Sequence, residues 1–243
     1  MSTDRKVALV TGGSTGIGLS ICRRFLQADY TVLNLSHQSS NLEHDRLIDR
    51  PVDLTDTEQT REAVSELAAQ HTITTVIHNA GVMRPNLIED VEISDVDYLH
   101  RLHVNAAIIL VQGAVPAMKS AGFGRIIIIG SRAMVGLETR TGYSATKAGQ
   151  LGLVRTWALE LGPLGITANL IAPGPIITDM LTEHIPENSE KAQRLAASIP
   201  VRRLGRPEDV AAAAHFLASP ESSFITGQAL FVCGGTSVGS LTL

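Results

Sequence analysis

The chain has few cysteines and few charged residues, and each shortage excludes a class of protein. Its two cysteines, Cys22 and Cys233, lie far apart and in no metal-binding or redox spacing. We therefore expect two free thiols in a reducing cytosol rather than a disulfide framework. Charged residues make up 18% of the chain, the net charge is −4, and no basic cluster occurs. A nucleic-acid partner is therefore not expected.

Long apolar runs are also scarce. No stretch approaches the length that a membrane-spanning helix needs, and residues 1–6 leave no room for a secretory signal before the first apolar run. Hydrophobic residues nevertheless make up 44% of the chain, which is enough for a sizeable core. The composition predicts a soluble cytoplasmic protein without a membrane partner.

Short β-branched runs alternate with longer helical patterns along most of the chain. The predicted strands cover residues 6–11, 31–35, 50–52, 75–78, 125–129, 166–171 and 229–232. The predicted helices cover residues 16–28, 95–118, 141–161 and 207–218, with one more that opens at a capping box in 55–58. Strands that are apolar on both sides indicate a parallel sheet with helices on both faces. The predicted fold is a single doubly wound α/β domain spanning residues 1–243.

Two features break this regular pattern. Residues 173–200 hold three prolines in their first fourteen positions, which is typical of a mobile lid over a site. The helical stretches 105–118 and 148–161 are apolar around most of their girth, so each needs a second packing partner. Burial in a large monomer would supply it, but we expect a subunit interface in a homodimer or homotetramer.

A glycine-rich turn follows the first predicted strand, with Gly12, Gly16 and Gly18 spaced G-x-x-x-G-x-G. Without side chains, this backbone can approach a pyrophosphate, whose charge the N-terminus of the next helix favours. The turn His78-Asn-Ala-Gly81 follows the fourth strand, on the other side of the expected ligand crevice. The pair of turns predicts a dinucleotide site, although a glycine turn alone also suits a plain strand–helix connection.

The stretch Thr141-Gly-Tyr-Ser-Ala-Thr-Lys147 places Tyr143 and Lys147 one helical turn apart. Residues four apart share a helix face, so the phenol and the amine can enter one pocket. A cation beside a phenol lowers the pKa of the phenol toward the range of a working proton donor. Ser131 stands twelve residues before Tyr143, at the end of the fifth predicted strand. The pattern predicts acid/base catalysis.

Taken in order, TGGSTGIG, HNAG, Asn105, Ser131, YSATK, the Pro173-Gly174 pair and a late Arg-Pro-Glu-Asp-Val resemble the short-chain dehydrogenase/reductase family, in its shorter single-domain subgroup. The resemblance implies a Rossmann-type sheet of seven parallel strands, an NAD(P)(H) cofactor and a homo-oligomer. It also implies a catalytic tetrad. Tyr143 would be the general acid/base, Lys147 would assist it and hold the nicotinamide ribose, Ser131 would bond the reacting oxygen, and Asn105 would hold a relay water.

The resemblance further implies a set of cofactor contacts. Asp53 would lie against the adenine ring, Asn79 beside the ribose, and Thr178 at the carboxamide. The whole expected set is Gly12, Ser14, Thr15, Gly16, Ile17, Gly18, Ser36, His37, Asp53, Leu54, Asn79, Ala80, Gly81, Tyr143, Lys147, Pro173, Gly174, Ile176 and Thr178.

The choice between NAD and NADP depends on the end of the second strand. Ser36 stands where NAD-binding relatives carry an Asp that repels a 2′-phosphate, and His37 stands where NADP-binding relatives often carry Arg. With the acid gone, Ser36, His37 and Ser39 can donate hydrogen bonds to a phosphate. This favours NADP(H), although Thr15 is not the basic residue common in NADP-using relatives, and NAD(H) stays open.

The substrate is less clearly specified. The expected contacts are Arg84, Arg132, Met134, Met180 and His184, with Arg140 close to the catalytic tyrosine. These arginines can bind an anionic substrate such as a carboxylate, or can simply lie at the surface. No metal site is expected, because Asp97, His100 and His103 rotate off one helix face.

The expected function is that of an NAD(P)-dependent alcohol dehydrogenase or carbonyl reductase acting on a small-molecule alcohol or ketone. A first alternative is a dehydrogenase of a cyclic diol or an anionic hydroxy acid. A second alternative, from a different class, is a dinucleotide-binding regulator or scaffold without catalysis.

Overall fold

A computed structural model describes residues 6–183 and 185–238. The strands are β1 (Val7–Thr11), β2 (Thr31–Ser36), β3 (Leu47–Pro51), β4 (Ile73–His78), β5 (Gly124–Ile129), β6 (Ile166–Pro173) and β7 (Ala229–Val232). The helices are α1 (Gly16–Gln27), α2 (Thr57–Gln70), α3 (Ile93–His100), α4 (Ala106–Ala121), α5 (Thr141–Leu161), α6 (Asp179–Thr182), α7 (Glu190–Ser198) and α8 (Pro207–Ala218). All strands pair in parallel in the order β3-β2-β1-β4-β5-β6-β7, which confirms the predicted doubly wound sheet.

The apolar strands are buried on both faces of this sheet. Along β5, Ile126 and Ile128 pack into the cluster that includes residues of α2, α4 and α5. Their neighbours Ile127 and Ile129 pack on the opposite face, in the cluster that includes α1 and α8. This alternation follows from the two-residue period of a strand. A strand without a polar face therefore requires helices on both sides.

Most predicted boundaries hold, and two differ for physical reasons. The third strand runs from residue 47 to 51 rather than over 50–52, because its pairing with β2 extends further toward the N-terminus. The capping box predicted at 55–58 is wrong. The carboxylate of Asp56 caps α2 by accepting hydrogen bonds from the backbone N–H groups of Glu58 and Gln59. An Asp at this position competes well with a Thr for the same donors.

The long helix predicted over 95–118 contains a π-helical turn, Arg101–Asn105, between α3 and α4. The whole stretch Ile93–Ala121 is long and apolar enough to span a membrane by length and composition, contrary to the expectation from the sequence. In this fold, however, Leu110, Ala114 and Met118 are buried in the same cluster as the sheet. One face of the stretch therefore packs on the sheet, and 39% of its most apolar part is buried.

Residues 173–200 contain α6 and α7 rather than irregular chain. Ala192, Ile199 and Leu204 form a small cluster of their own, with Leu181 and Leu195 packed against it. Near the start of the segment, backbone hydrogen bonds of 2.9 Å join Pro175 and Ile177 to Gly205. The segment therefore packs as a small helical unit beside the end of β6, and its role as a lid stays a prediction.

Candidate active site

A cavity of about 1000 Å³ opens at the carboxyl ends of the strands, a size suited to a dinucleotide with a small substrate. Its walls come from the loops after β1, β2, β3, β4, β5 and β6 and from the first turns of α5. The strand order reverses between β1 and β4, which is where doubly wound sheets bind ligands. Of the residues predicted to bind cofactor, those that line the cavity are Gly12, Ser14, Thr15, Gly16, Ile17, Ser36, His37, Asp53, Leu54, Asn79, Ala80, Gly81, Tyr143, Lys147, Pro173, Gly174, Ile176 and Thr178.

The glycine turn has the shape that a diphosphate requires. Gly12 and Gly16 have φ values of 65° and 51°, in the left-handed region where a side chain would be strained. Gly18 does not line the cavity. A Cβ on Gly18 would lie 1.9 Å from the carbonyl oxygen of Gly12 and 2.6 Å from Nδ2 of Asn79, so glycine there lets α1 pack onto the turn. Gly12 and Gly16 leave backbone open to the cavity, and these residues therefore fit a nicotinamide dinucleotide.

Hydrogen bonds join the ends of β1 and β4. The hydroxyl of Thr11 accepts hydrogen bonds of 3.0 Å from the backbone N–H groups of Asn79 and Ala80. The amide of Asn79 donates in return to the carbonyl oxygens of Thr11 and Gly12, each at 3.1 Å. Asn79 thus fixes the glycine turn against the neighbouring strand.

A second support was missed by the sequence reasoning. The Asn34 side chain, on β2 and 1% exposed, accepts a 2.9 Å hydrogen bond from the backbone N–H of Gly13 and donates a 2.6 Å one to Asp49. Asp49 also accepts hydrogen bonds from the N–H and hydroxyl of Ser40. The network fixes the loop after β2 beside the glycine turn. The sequence signal that could have revealed this network is a polar residue inside a buried strand, because such a group requires a hydrogen-bond partner.

The loop after β2 presents Ser36, His37 and Gln38 to the cavity, and none of the three is acidic. Ser36 is buried, whereas His37 and Gln38 are exposed. The nearby carboxylate of Asp49 is engaged by Asn34 and Ser40. Consequently this loop offers hydrogen-bond donors to the cavity and no carboxylate.

Tyr143 and Lys147 lie on one face of α5, both buried and both lining the cavity. The amine of Lys147 donates a 2.9 Å hydrogen bond to the carbonyl oxygen of Ile129 and lies 5.7 Å from the centre of the Tyr143 ring. Ser131 follows β5 and accepts a hydrogen bond from the N–H of Ala133. Its hydroxyl is close enough to the phenol to lower the pKa of Tyr143. Three groups of the predicted tetrad thus meet at one end of the cavity.

The charge states differ from the expectation. Burial raises the pKa of Tyr143, and the Ser131 hydroxyl and the Arg140 cation oppose this only in part. Burial also lowers the pKa of Lys147 to about 7, so its amine is only partly charged near neutral pH. The expectation that Lys147 lowers the pKa of the phenol is therefore wrong for the protein without cofactor, because loss of water outweighs the neighbouring charge.

Asn105 lies in the π turn, half-buried, and does not line the cavity. Its relay role stays a prediction. His103, in the same turn, contacts Tyr143 edge-on, with ring centres 5.6 Å apart and an angle of 83°. Nδ1 of His103 lies 2.9 Å from the hydroxyl of Thr146 on α5. The sequence reasoning weighed His103 only as a metal ligand, and a single π turn left no pattern that could have placed it here.

Of the residues predicted to contact substrate, Arg132 and Met180 line the cavity, as does Arg140. Arg84 does not, because it forms a 3.6 Å ion pair with Asp95 and stacks on Tyr98 instead. Met134 packs against the hydrophobic core, and His184 lies outside the described residues. Further lining residues that the sequence did not reveal are Tyr98, Leu102, Lys191 and Leu195. They come from α3, the π turn and α7, which only the tertiary fold brings to this site.

The sheet, the dinucleotide cradle and the buried tyrosine beside it define an NAD(P)-dependent oxidoreductase that transfers hydride. A family described as enoyl-(acyl carrier protein) reductase matches residues 12–237. A curated relative, the 3-oxoacyl-(acyl-carrier-protein) reductase FabG of Thermotoga maritima, is 34% identical over 249 residues, covering 97% of this chain and 99% of the relative. The chain belongs to the short-chain dehydrogenase/reductase family.

Solved structures agree with this assignment. The ligand-free aldohexose dehydrogenase of Thermoplasma acidophilum superimposes with a TM-score of 0.91 at 27% identity, covering 98% of this chain and 96% of that chain. A blue fluorescent protein from a metagenomic library, in complex with NADPH, has a TM-score of 0.84 at 32% identity, with 97% and 99% covered. The family acts on small molecules with an NAD(P)(H) cofactor, and both statements hold for this chain.

Proposed function

We propose that the protein is a carbonyl reductase or alcohol dehydrogenase that interconverts a small ketone and its secondary alcohol. The observation that supports it most strongly is the meeting of Tyr143, Ser131 and Lys147 at one end of the cavity, with the glycine turn at the other. The bound cofactor supplies or accepts the hydride. The protein's part is to hold the substrate oxygen beside Tyr143 and to move one proton.

In reduction, the hydroxyl of Tyr143 donates its proton to the carbonyl oxygen, and in oxidation it takes the proton back. The raised pKa keeps the phenol protonated at neutral pH, which suits the reducing direction. The Ser131 hydroxyl binds the same oxygen and stabilises its developing charge. Lys147 has a pKa of about 7, near the working pH, so its amine is suited to relay protons to the phenol of Tyr143. Asn105, in the adjoining π turn, would hold the water that feeds this amine.

We further propose NADP(H) as the preferred cofactor. The loop after β2 offers Ser36, His37 and Gln38 to the cavity, with no carboxylate to repel a 2′-phosphate. The related fold that binds NADPH supports the same preference. Asp53, after β3, lines the cavity and would pack against the adenine ring. Thr178 lies beside the glycine turn, its methyl group 3.3 Å from the point where a Cβ on Gly16 would sit.

The relative from Thermotoga maritima is named a 3-oxoacyl-(acyl-carrier-protein) reductase, which supports carbonyl reduction. The alternative of a dehydrogenase of a hydroxy acid keeps support from Arg132 and Arg140, which line the cavity. A scaffold without catalysis is less well supported, because Tyr143, Ser131 and Lys147 all line the cavity.

The proposal includes a homodimer or homotetramer in the cytoplasm, as one domain with residues 173–200 as a lid. On α5, Leu159 is 81% exposed, and Leu153 and Trp157 are only partly covered by the core. An apolar helix face of this kind is typical of a subunit interface. The free thiols of Cys22 and Cys233 suit a reducing compartment.

Transfer of deuterium tests the proposal directly. The protein is incubated with NADPH deuterated at C4 and with a panel of ketones, oxo acids and oxoacyl thioesters, and products are analysed by mass spectrometry. We expect deuterium on the carbinol carbon of at least one product. If NADPH binds but no panel member takes up deuterium, the result supports the scaffold alternative and contradicts the enzyme proposal.

A further inference from the structure

Arg140 occupies an unusual position at the catalytic end of the cavity. It is the residue before the first turn of α5, three positions ahead of Tyr143, and its side chain lines the cavity. Its Nη1 donates hydrogen bonds to the hydroxyl and the carbonyl oxygen of the preceding Thr139. Its Nε is buried and has no partner among the described residues. Because this nitrogen is closed to the cavity, a ligand can reach the guanidinium only through its Nη groups, and Nη2 donates no hydrogen bond to the described residues.

The backbone fixes this arginine in place. Thr139 has a φ of 62°, which a β-branched residue rarely adopts. The conformation is held by hydrogen bonds from the N–H of Asn86 to the carbonyl oxygen of Thr139 and from the N–H of Arg140 to that of Leu137. Strain of this kind persists only where the surroundings impose it, and it concentrates at binding and catalytic sites.

The lysines and arginines that line the cavity outnumber its two acids, Asp53 and Asp179. None of the ion pairs among the described residues includes Arg132, Arg140 or Lys191, all of which line the cavity. The helix α5 adds to this potential, because no side chain caps its N-terminus and its first turn holds no acid. The N-terminus of a long helix attracts an anion. Arg140 and the N-terminus of α5 thus act together on the space beside Tyr143.

We propose that Arg140, with Arg132 at the rim, binds an anionic group of the substrate, and that this group is a carboxylate close to the reacting carbonyl. This inference rests on the proposed function and narrows its substrate to oxo acids and hydroxy acids. A guanidinium binds a carboxylate through charge-assisted hydrogen bonds, which Nη2 of Arg140 has free to donate among the described residues. Arg140 and Tyr143 both line the cavity and lie within one helical turn of each other, so a substrate that contacts both carries its carboxylate a few bonds from the carbonyl carbon.

Matched pairs of oxo acids and their methyl esters separate charge from shape. We measure kcat/KM for NADPH-dependent reduction of such pairs by the wild type, Arg140→Gln and Arg140→Lys. We expect the acid to be favoured over its ester in the wild type. We also expect Arg140→Gln to lose about ten- to a hundredfold on the acid, the range of a charged hydrogen bond, with little change on the ester. Arg140→Lys should recover part of the loss, since it restores the charge without the second hydrogen bond.

Two controls isolate the site. Arg84→Gln removes a cation that lies outside the cavity and should leave the preference unchanged. An oxoacyl thioester of coenzyme A, whose phosphates lie many bonds from its carbonyl, tests the other source of negative charge. If only the coenzyme A thioester loses rate in Arg140→Gln, the anion is a distant phosphate and the carboxylate proposal is overturned.

The remaining outcomes distinguish this inference from the proposed function. Equal losses on acid and ester would mean that Arg140 only supports the fold of the site, which contradicts the inference while leaving carbonyl reduction intact. If no compound turns over, titration calorimetry of the oxo acids into the protein with NADP⁺ tests the carboxylate subsite instead. Binding that Arg140→Gln abolishes supports the subsite although the function fails, and no binding by the wild type overturns it.

Discussion

The amine nitrogen of Lys147 lies 5.7 Å from the centre of the Tyr143 ring, and both side chains are buried. The two side chains project from neighbouring turns of α5 into the end of the cavity. Burial favours the neutral form of both side chains, because it raises the pKa of the Tyr143 phenol and lowers the pKa of the Lys147 amine. A protonated phenol beside a partly charged amine differs from the lowered phenol pKa that the sequence suggested, and it has measurable consequences.

The first consequence is a dependence of stability on pH. The pKa of Lys147 falls from 10.5 to about 7 on folding, so between these values the unfolded chain binds more protons than the folded one. The free energy of unfolding should therefore rise with pH across this window, by up to about 1.4 kcal/mol per pH unit from this group. Lys147→Met should remove that rise. Urea unfolding at pH 7 and pH 9 measures it.

Lys119→Met is the matched control for the stability experiment, since it removes an exposed lysine of α4. It should keep the slope of the wild type between pH 7 and pH 9. An identical slope in Lys147→Met and the wild type would show that the amine is not desolvated as described.

A second prediction concerns the cofactor. Ser36→Asp places a carboxylate at the end of β2, on the wall of the cavity, where it repels a 2′-phosphate and can bind ribose hydroxyls. We expect the ratio of kcat/KM for NADPH over NADH to fall by at least about tenfold, the effect of roughly 1.4 kcal/mol. The control Ser65→Asp adds the same charge at an exposed position of α2, outside the cavity lining. An unchanged ratio in Ser36→Asp, or an equal fall in both variants, would be evidence against the assigned 2′-phosphate position.

A third prediction concerns assembly. Leu159 is 81% exposed on α5, and an arginine in its place would put a charge into the interface that we propose there. Size-exclusion chromatography with light scattering should report a smaller assembly for Leu159→Arg than for the wild type. Ile88→Arg, at a site that is 71% exposed but lies outside α4 and α5, should keep the wild-type mass. A monomeric wild type, or a full assembly in Leu159→Arg, would contradict the proposed interface.

Much of the fold and of the candidate site could be predicted because the signals were local. Short stretches of sequence specify the apolar strand β5 and the helix α5, and a few residues specify the glycine turn. Asn34 with Asp49, and His103 with Tyr143, could not be paired in this way, since their contacts depend on strand register and on a π turn. Arg84 was misplaced because an ion pair with Asp95 draws it away from the cavity.

The sequence also mispredicted the charge states of Tyr143 and Lys147, for a single reason. Spacing reveals that Tyr143 and Lys147 are neighbours, but it carries no information on how far water is excluded from both. Lys147 is 2% exposed and Tyr143 is 9% exposed. At this depth the cost of desolvating a charge exceeds the attraction of one neighbour.

The proton donor is the central claim, and the most direct measurement of it is NADPH oxidation at 340 nm by Tyr143→Phe, using the best carbonyl substrate of the wild type. The variant loses only the phenol oxygen, and Tyr30→Phe makes the same change in a buried tyrosine outside the cavity lining. We predict that Tyr143→Phe binds NADPH as the wild type does but loses about 10²- to 10⁴-fold in kcat, while Tyr30→Phe keeps its rate. Turnover by Tyr143→Phe at the rate of Tyr30→Phe would contradict the account.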